Sequence, residues 1–229
     1  MIGPDGRVAL YYAPLPDDPL WPAACAWLGR DPQTGRALAQ PDLPDISAIT
    51  EDARRYGFHA TLKPPMRLRP GRSWEELAAE AASIAAAITP FELPPLAVTE
   101  LEGFLALRET APCPELRALA DAFVAGLDPF RAPPNAVELA RRRGRGLSPQ
   151  REALLRRWGY PNVFDSWMFH MTLTRHLTPA EHALYRPAVE AHLAQALRVK
   201  RLVADVCMFV QQRPGEPFDI ALRLRLGGG

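Results

Sequence analysis

The pattern His-x-Thr-Leu occurs twice in this 229-residue chain, as His59-Ala60-Thr61-Leu62 and as His170-Met171-Thr172-Leu173. With the abundances of Thr and Leu in the chain, chance would place it on two of the five histidines only on the order of 3 times in 10,000. The surroundings repeat as well. Gly57 to Lys63, stopped by Pro64-Pro65, and Trp167 to Thr174 read as strands. Each is followed by a capping box that opens a helix, Ser73 with Glu76 and Thr178 with Glu181. Each helix is followed by two more strands, Phe91 to Thr99 and Glu102 to Arg108 in the first half, Val199 to Gln212 and Phe218 to Leu226 in the second. A repeat of roughly 110 residues is too long for a solenoid and suits two pseudo-equivalent lobes.

The segments outside the repeat read simply. Arg7 to Ala13 is a strand closed by Pro14, Pro19 to Gly29 a short helix, and Gln33 to Asp45 a Pro/Asp-rich loop. Pro114 to Leu127, Asn135 to Arg143 and Ser148 to Trp158 form a helical middle, the last two stopped by Gly144 and Gly159. The expected boundaries are lobe one at about 7–110, a helical insertion at about 114–160 and lobe two at about 165–226.

Alternation along a strand decides which side chains meet. His59, Thr61 and Lys63 share one face, with Phe58, Ala60 and Leu62 on the other; His170, Thr172 and Thr174 share a face opposite Phe169, Met171 and Leu173. An apolar face behind a His/Thr face describes the wall of a cleft. Two histidines suit in-line displacement at phosphorus, where one neutral imidazole accepts a proton and one charged imidazole donates one on the opposite side. A Thr two residues on places a hydroxyl beside each imidazole for the non-bridging oxygens. Lys63 and Lys200 are the only lysines among 27 basic residues, so Lys63 on that face is a candidate phosphate ligand. Tyr11, on the Arg7/Ala9 face of the first strand, and Tyr56 are candidate substrate contacts for which an ordinary packed tyrosine is the commoner reading.

Composition narrows the partners. Against 26 acidic residues the net charge is +1, which argues against a long nucleic-acid ligand and confines any anion site to a local patch. Arg141-Arg142-Arg143-Gly144-Arg145 is such a patch, read either as a clamp for a second phosphate or as solvated helix ends. No metal and no other cofactor is required by the scheme, and His176, His182 and His192 have no metal-ligand spacing. Three separated cysteines without a C-x-x-C suggest neither a disulfide framework nor a zinc site, and a reducing cytoplasm is the default. No stretch reaches the roughly 18 apolar residues of a membrane span, so no membrane partner is expected.

Taken together, RVALYYAPLPDDPLW (7–21), YGFHATLKPP (56–65), ELARRRGRGLSPQREALLRRWGYP (138–161), FHMTLTRHLT (169–178) and FVQQRPGEPF (209–218) resemble the two-histidine (2H) phosphoesterase superfamily, and within it the DUF1045-type branch linked to phosphonate metabolism. Arg175-His176 departs from the Gly-Arg-like pair of that pattern. The resemblance implies an α+β fold of two pseudo-symmetric lobes, with antiparallel sheets flanking a central cleft and helices outside. It also implies metal-independent opening of a small sugar cyclic phosphate, for which ribose 1,2-cyclic phosphate 5-phosphate is the candidate. By the same resemblance His59, Thr61, His170 and Thr172 are catalytic, His170 activating water and His59 protonating the leaving oxygen. An RNA 2′,3′-cyclic phosphodiesterase or ligase-like end-processing enzyme, and a non-catalytic phospho-ligand binding module, are the competing expectations.

Overall fold

The computed structural model describes residues 3, 5–144 and 146–227. In chain order the first half holds β1 (Arg7–Tyr12), α1 (Leu20–Leu28), α2 (Ile46–Ile49), α3 (Glu51–Tyr56), β2 (Ala60–Met66), α4 (Trp74–Ala86), β3 (Phe91–Leu93), β4 (Leu96–Leu101) and β5 (Phe104–Glu109). The helical middle is α5 (Pro114–Gly126), α6 (Ala136–Arg143) and α7 (Pro149–Trp158). The second half holds β6 (Met171–His176), α8 (Pro179–Leu197), β7 (Arg201–Val203), β8 (Asp205–Gln211) and β9 (Asp219–Arg225). The capping boxes at Ser73 and Thr178 form as expected, and Asn135 with Glu138 makes a third at the start of α6. Two expected strands are each broken in two. Pro94-Pro95 separates β3 from β4, and Ala204 separates β7 from β8; the short pieces β3 and β7 then pair with each other as a separate ribbon.

The fold is α+β. Seven antiparallel strands lie in the order β4-β5-β6-β2-β1-β8-β9. At the centre β2 and β6 share a single register pair, Ala60 opposite Met171, so the sheet is two wings joined at the start of both motif strands. The wings do not follow the expected boundaries of 7–110 and 165–226. β5 from the first half pairs with β6, and β8 from the second half pairs with β1, so each wing is built from both halves. The physical reason is that β6 needs a neighbour beyond the junction and β5 supplies it, while fully buried β8 requires strands on both sides and finds β1 and β9. Helices cover the outer faces: α4 and α5 pack on β9 and β2, α8 and α1 on β4 and β6. The buried aromatic and aliphatic side chains, Trp27, Phe123, Tyr185 and Phe209 among them, lie between these helices and the sheet.

Candidate active site

Both motif histidines stand one residue ahead of their strands, and each follows a fully buried Phe, Phe58 or Phe169, that anchors the backbone in the core. Each ring then folds back onto the carbonyl two residues earlier. His59 Nδ1 lies 2.8 Å from the Gly57 oxygen and His170 Nδ1 lies 3.0 Å from the Met168 oxygen. A carbonyl only accepts, so Nδ1 carries the proton in both rings and Nε2 is the atom left for chemistry. Gly57 is required for this turn: its φ is +77°, and a Cβ there would lie 2.7 Å from a Pro32 ring carbon.

The single register pair sets the rest. In an antiparallel pair, one step forward on one strand meets one step back on the other, so Thr61 falls beside His170 and Thr172 beside His59. The Thr61 hydroxyl is also 3.3 Å from His59 Nε2. Trp167 fastens the junction, its indole N–H donating to the Thr61 carbonyl at 2.8 Å. A cavity of about 390 Å³ is lined by His59, Thr61, Thr172, Tyr11 and Tyr56. A second, of about 230 Å³, is lined by His170, Thr61, Phe104 and Arg151, and the two share Thr61, Tyr160 and Asn162. One cleft with an imidazole in each half, overhung by the segment after α7, is the result.

The two rings differ in surroundings. His59 stacks on Tyr11, ring centres 3.7 Å apart and planes 21° from parallel, while His170 meets Phe104 edge-on at 6.1 Å. Desolvation in the cleft pushes the His59 imidazole down to about 4; the Gly57 hydrogen bond opposes this and the charge of His170 adds to it. Tyr11 is buried, and burial raises its hydroxyl pKa well above the ordinary tyrosine value, so it faces the cleft as a neutral ring and donor. Tyr56 also lines the cleft, stacked on Phe218 at 5.2 Å.

Lys63 is not where alternation puts it. Between Tyr11 opposite Thr61 and Leu10 opposite Lys63, β1 advances one residue and β2 advances two, a β-bulge at Leu62. The extra residue turns Lys63 to the core face, where it is buried and its ammonium donates to the Val124 carbonyl at 3.0 Å. That carbonyl is in the last turn of α5, so Lys63 caps a helix C-terminus instead of holding a phosphate. Burial lowers its pKa to about 8.

The arginine cluster divides. Arg141 and Arg142 line the cleft, Arg143 pairs with Glu152 at 2.7 Å, and Arg145 lies outside the described residues. Arg142 donates to the Gly159 and Pro65 carbonyls and covers the Tyr160 ring, tying the overhang to β2. Arg175, at the position that departs from the family pattern, pairs with Glu181 at 2.8 Å. Arg7, Tyr160 and Asn162 also line the cleft without having been singled out as candidates from the sequence. Arg7 shares the β1 face of Tyr11 and was legible by alternation; Tyr160 and Asn162 sit in a loop without periodicity. Among the described residues no group of three or more His, Cys, Asp or Glu is placed to hold a metal, and no helix is long and apolar enough to cross a membrane.

The family described as "Protein of unknown function (DUF1045)" matches residues 61–219, a span that takes in Thr61 and the whole second motif. The chain belongs to the DUF1045 family. It is 41% identical, over 97% of its length, to a Janthinobacterium sp. (strain Marseille) protein named ribose 1,5-bisphosphate phosphokinase PhnN, and 36% identical, over 93%, to one of the same name from Laribacter hongkongensis (strain HLHK9). It covers 51% and 50% of those two proteins, so the DUF1045 chain spans about half the length of the curated relatives it matches. Among solved structures, E. coli LigT complexed with NADP+ aligns over 96% of this chain and 98% of LigT, with 11% identity and a TM-score of 0.45. E. coli LigT complexed with 3'-AMP aligns over 97% and 98%, with 13% identity and the same TM-score.

Proposed function

We propose that this DUF1045 protein is a metal-independent phosphodiesterase that opens a small sugar cyclic phosphate by paired histidine acid-base catalysis. The observation that carries the reading is the junction itself: two imidazoles with Nδ1 committed to a backbone carbonyl, each beside the other motif's threonine. His59, kept neutral at pH 7 by desolvation, takes a proton from water as the water oxygen bonds to phosphorus. The endocyclic P–O bond breaks on the opposite side, and His170, protonated, gives its Nε2 proton to the leaving sugar oxygen. Thr61 and Thr172 donate to the non-bridging oxygens as charge builds there. These roles reverse the direction expected from the family resemblance, because a desolvated ring stands neutral at pH 7 and does not carry the proton that the leaving oxygen needs.

The substrate class is supported by the relatives' name. Opening ribose 1,2-cyclic phosphate 5-phosphate at O2 yields ribose 1,5-bisphosphate, the compound in that name. Kinase chemistry on a P-loop is not supported within these 229 residues: Lys63 is followed by Pro64 and Lys200 by Arg201, so no Gly-Lys-Ser/Thr occurs. Phosphorus NMR of the purified protein in EDTA, with ribose 1,2-cyclic phosphate 5-phosphate and separately with a 2′,3′-cyclic nucleotide, tests the proposal. Conversion of the first to the 1,5-bisphosphate is expected. Preference for the nucleotide would favour RNA end processing, binding of both without turnover would favour a binding module, and loss of activity in EDTA would overturn the metal-free mechanism.

A further inference from the structure

The cleft does not end at His59. A further cavity of about 390 Å³ adjoins it, and the residues common to both are Arg7, Tyr56 and Arg141. The other arginines of this region are engaged. Arg142 holds the Gly159 and Pro65 carbonyls, Arg143 holds Glu152, and Arg67 is 3.3 Å from Glu138. Arg7 uses only its Nε, in a 2.7 Å bond to Gln211, which leaves both terminal nitrogens. Arg141 is exposed and, among the described residues, makes neither an ion pair nor a side-chain hydrogen bond. The ring of Phe218 supports this arrangement from below: Tyr56 stacks on it, and the Arg7 guanidinium lies 5.3 Å from its centre. Two arginines with free donors, from β1 and from α6, therefore line both cavities beside a phenol whose ring centre is 6.3 Å from that of His59.

We propose that Arg7 and Arg141, with Tyr56, form a second anion subsite that takes the phosphate monoester of the same substrate molecule whose cyclic phosphodiester lies at His59 and His170. The inference rests on the phosphodiesterase reading above and sharpens its substrate class to a cyclic phosphodiester carrying a separate terminal phosphate. A dianion with three acceptor oxygens matches forked donors from two sides. Apart from the shared residues the outer cavity is lined by Asp5 and Glu138 as well as Arg55 and Arg67, so it offers no unbroken cationic track for a polynucleotide.

The test compares kcat/KM for ribose 1,2-cyclic phosphate with and without its 5-phosphate. The wild type is expected to prefer the phosphorylated compound by on the order of 10²-fold. Arg141→Gln, a change on an exposed helix position that leaves the core untouched, is expected to cut that preference by at least roughly tenfold, and Arg7→Gln likewise, with Arg141→Lys retaining part of it. A preference within about two-fold of wild type in both Gln variants would overturn the subsite. If the wild type opens neither compound, the catalytic reading fails and the subsite is decided by calorimetry with ribose 5-phosphate. Binding weakened by roughly tenfold in Arg141→Gln supports it, and equal binding in wild type and variant overturns it.

Discussion

At His59 and His170 the same device recurs: a carbonyl two residues back fixes the tautomer, and a strand begins immediately after the ring. Replacing either with Asn is expected to lower kcat by roughly 10² to 10⁴ while circular dichroism stays unchanged. An aryl phosphodiester with a good leaving group separates the roles. It needs no general acid, so the His170→Asn variant should recover most of its activity on it and the His59→Asn variant should not; the opposite pattern would exchange base and acid. Because His59 titrates near 4, the acid limb of kcat/KM should fall near pH 4 instead of near the 6.5 of a free imidazole. The same depression makes stability rise with pH between those values, since the unfolded chain binds a proton there that the native site refuses. That contribution is complete above about pH 6.5 and is lost as pH falls toward 4. Urea unfolding across that range, in wild type and in His59→Asn, should show the slope flattened in the variant.

The bulge at Leu62 shows what one extra residue in an element does. It separates Thr61, in the cleft, from Lys63, in the core, and gives α5 a charged cap. Lys63→Met, which keeps most of the side-chain volume, is expected to change stability by about 1 kcal/mol and to leave kcat/KM within about two-fold. A tenfold fall in kcat/KM at unchanged melting temperature would return Lys63 to the substrate. The two motifs, the helices that follow them and their capping boxes were legible because each is a local pattern of three to four residues or of period two. The bulge was not, because alternation says nothing of where a partner strand makes a strand skip a step. Nor was the Tyr160 to Asn162 overhang, whose position depends on Arg142 reaching across to Gly159 and Pro65. Pro94-Pro95 breaks the single strand expected over Phe91 to Thr99, and the pairing of β3 with β7 shows what the break is for.

Across the whole molecule the proposed catalytic geometry depends on two wings whose strands share one register pair, backed by the Trp167 indole bond. Trp167→Phe removes that bond while keeping the ring on its apolar neighbours. The expected result is a loss of about 1 kcal/mol in stability and a kcat lowered by roughly tenfold with KM little changed, because the substrate contacts persist while the two imidazoles lose their fixed separation. An unchanged kcat would mean that the junction needs no such fastening. The same interleaving bears on how the chain is made. β1 leaves the ribosome some two hundred residues before its partner β8, with Arg7 bonded to Gln211 in the finished fold. Pairings of such long sequence separation form slowly and late. While the helical middle is being synthesised, β1 and β2 present an open sheet edge, the kind of surface on which nascent chains aggregate. β1 thus waits through some two hundred residues of synthesis before it is fully paired, and production of active protein should respond steeply to chaperone supply and growth temperature.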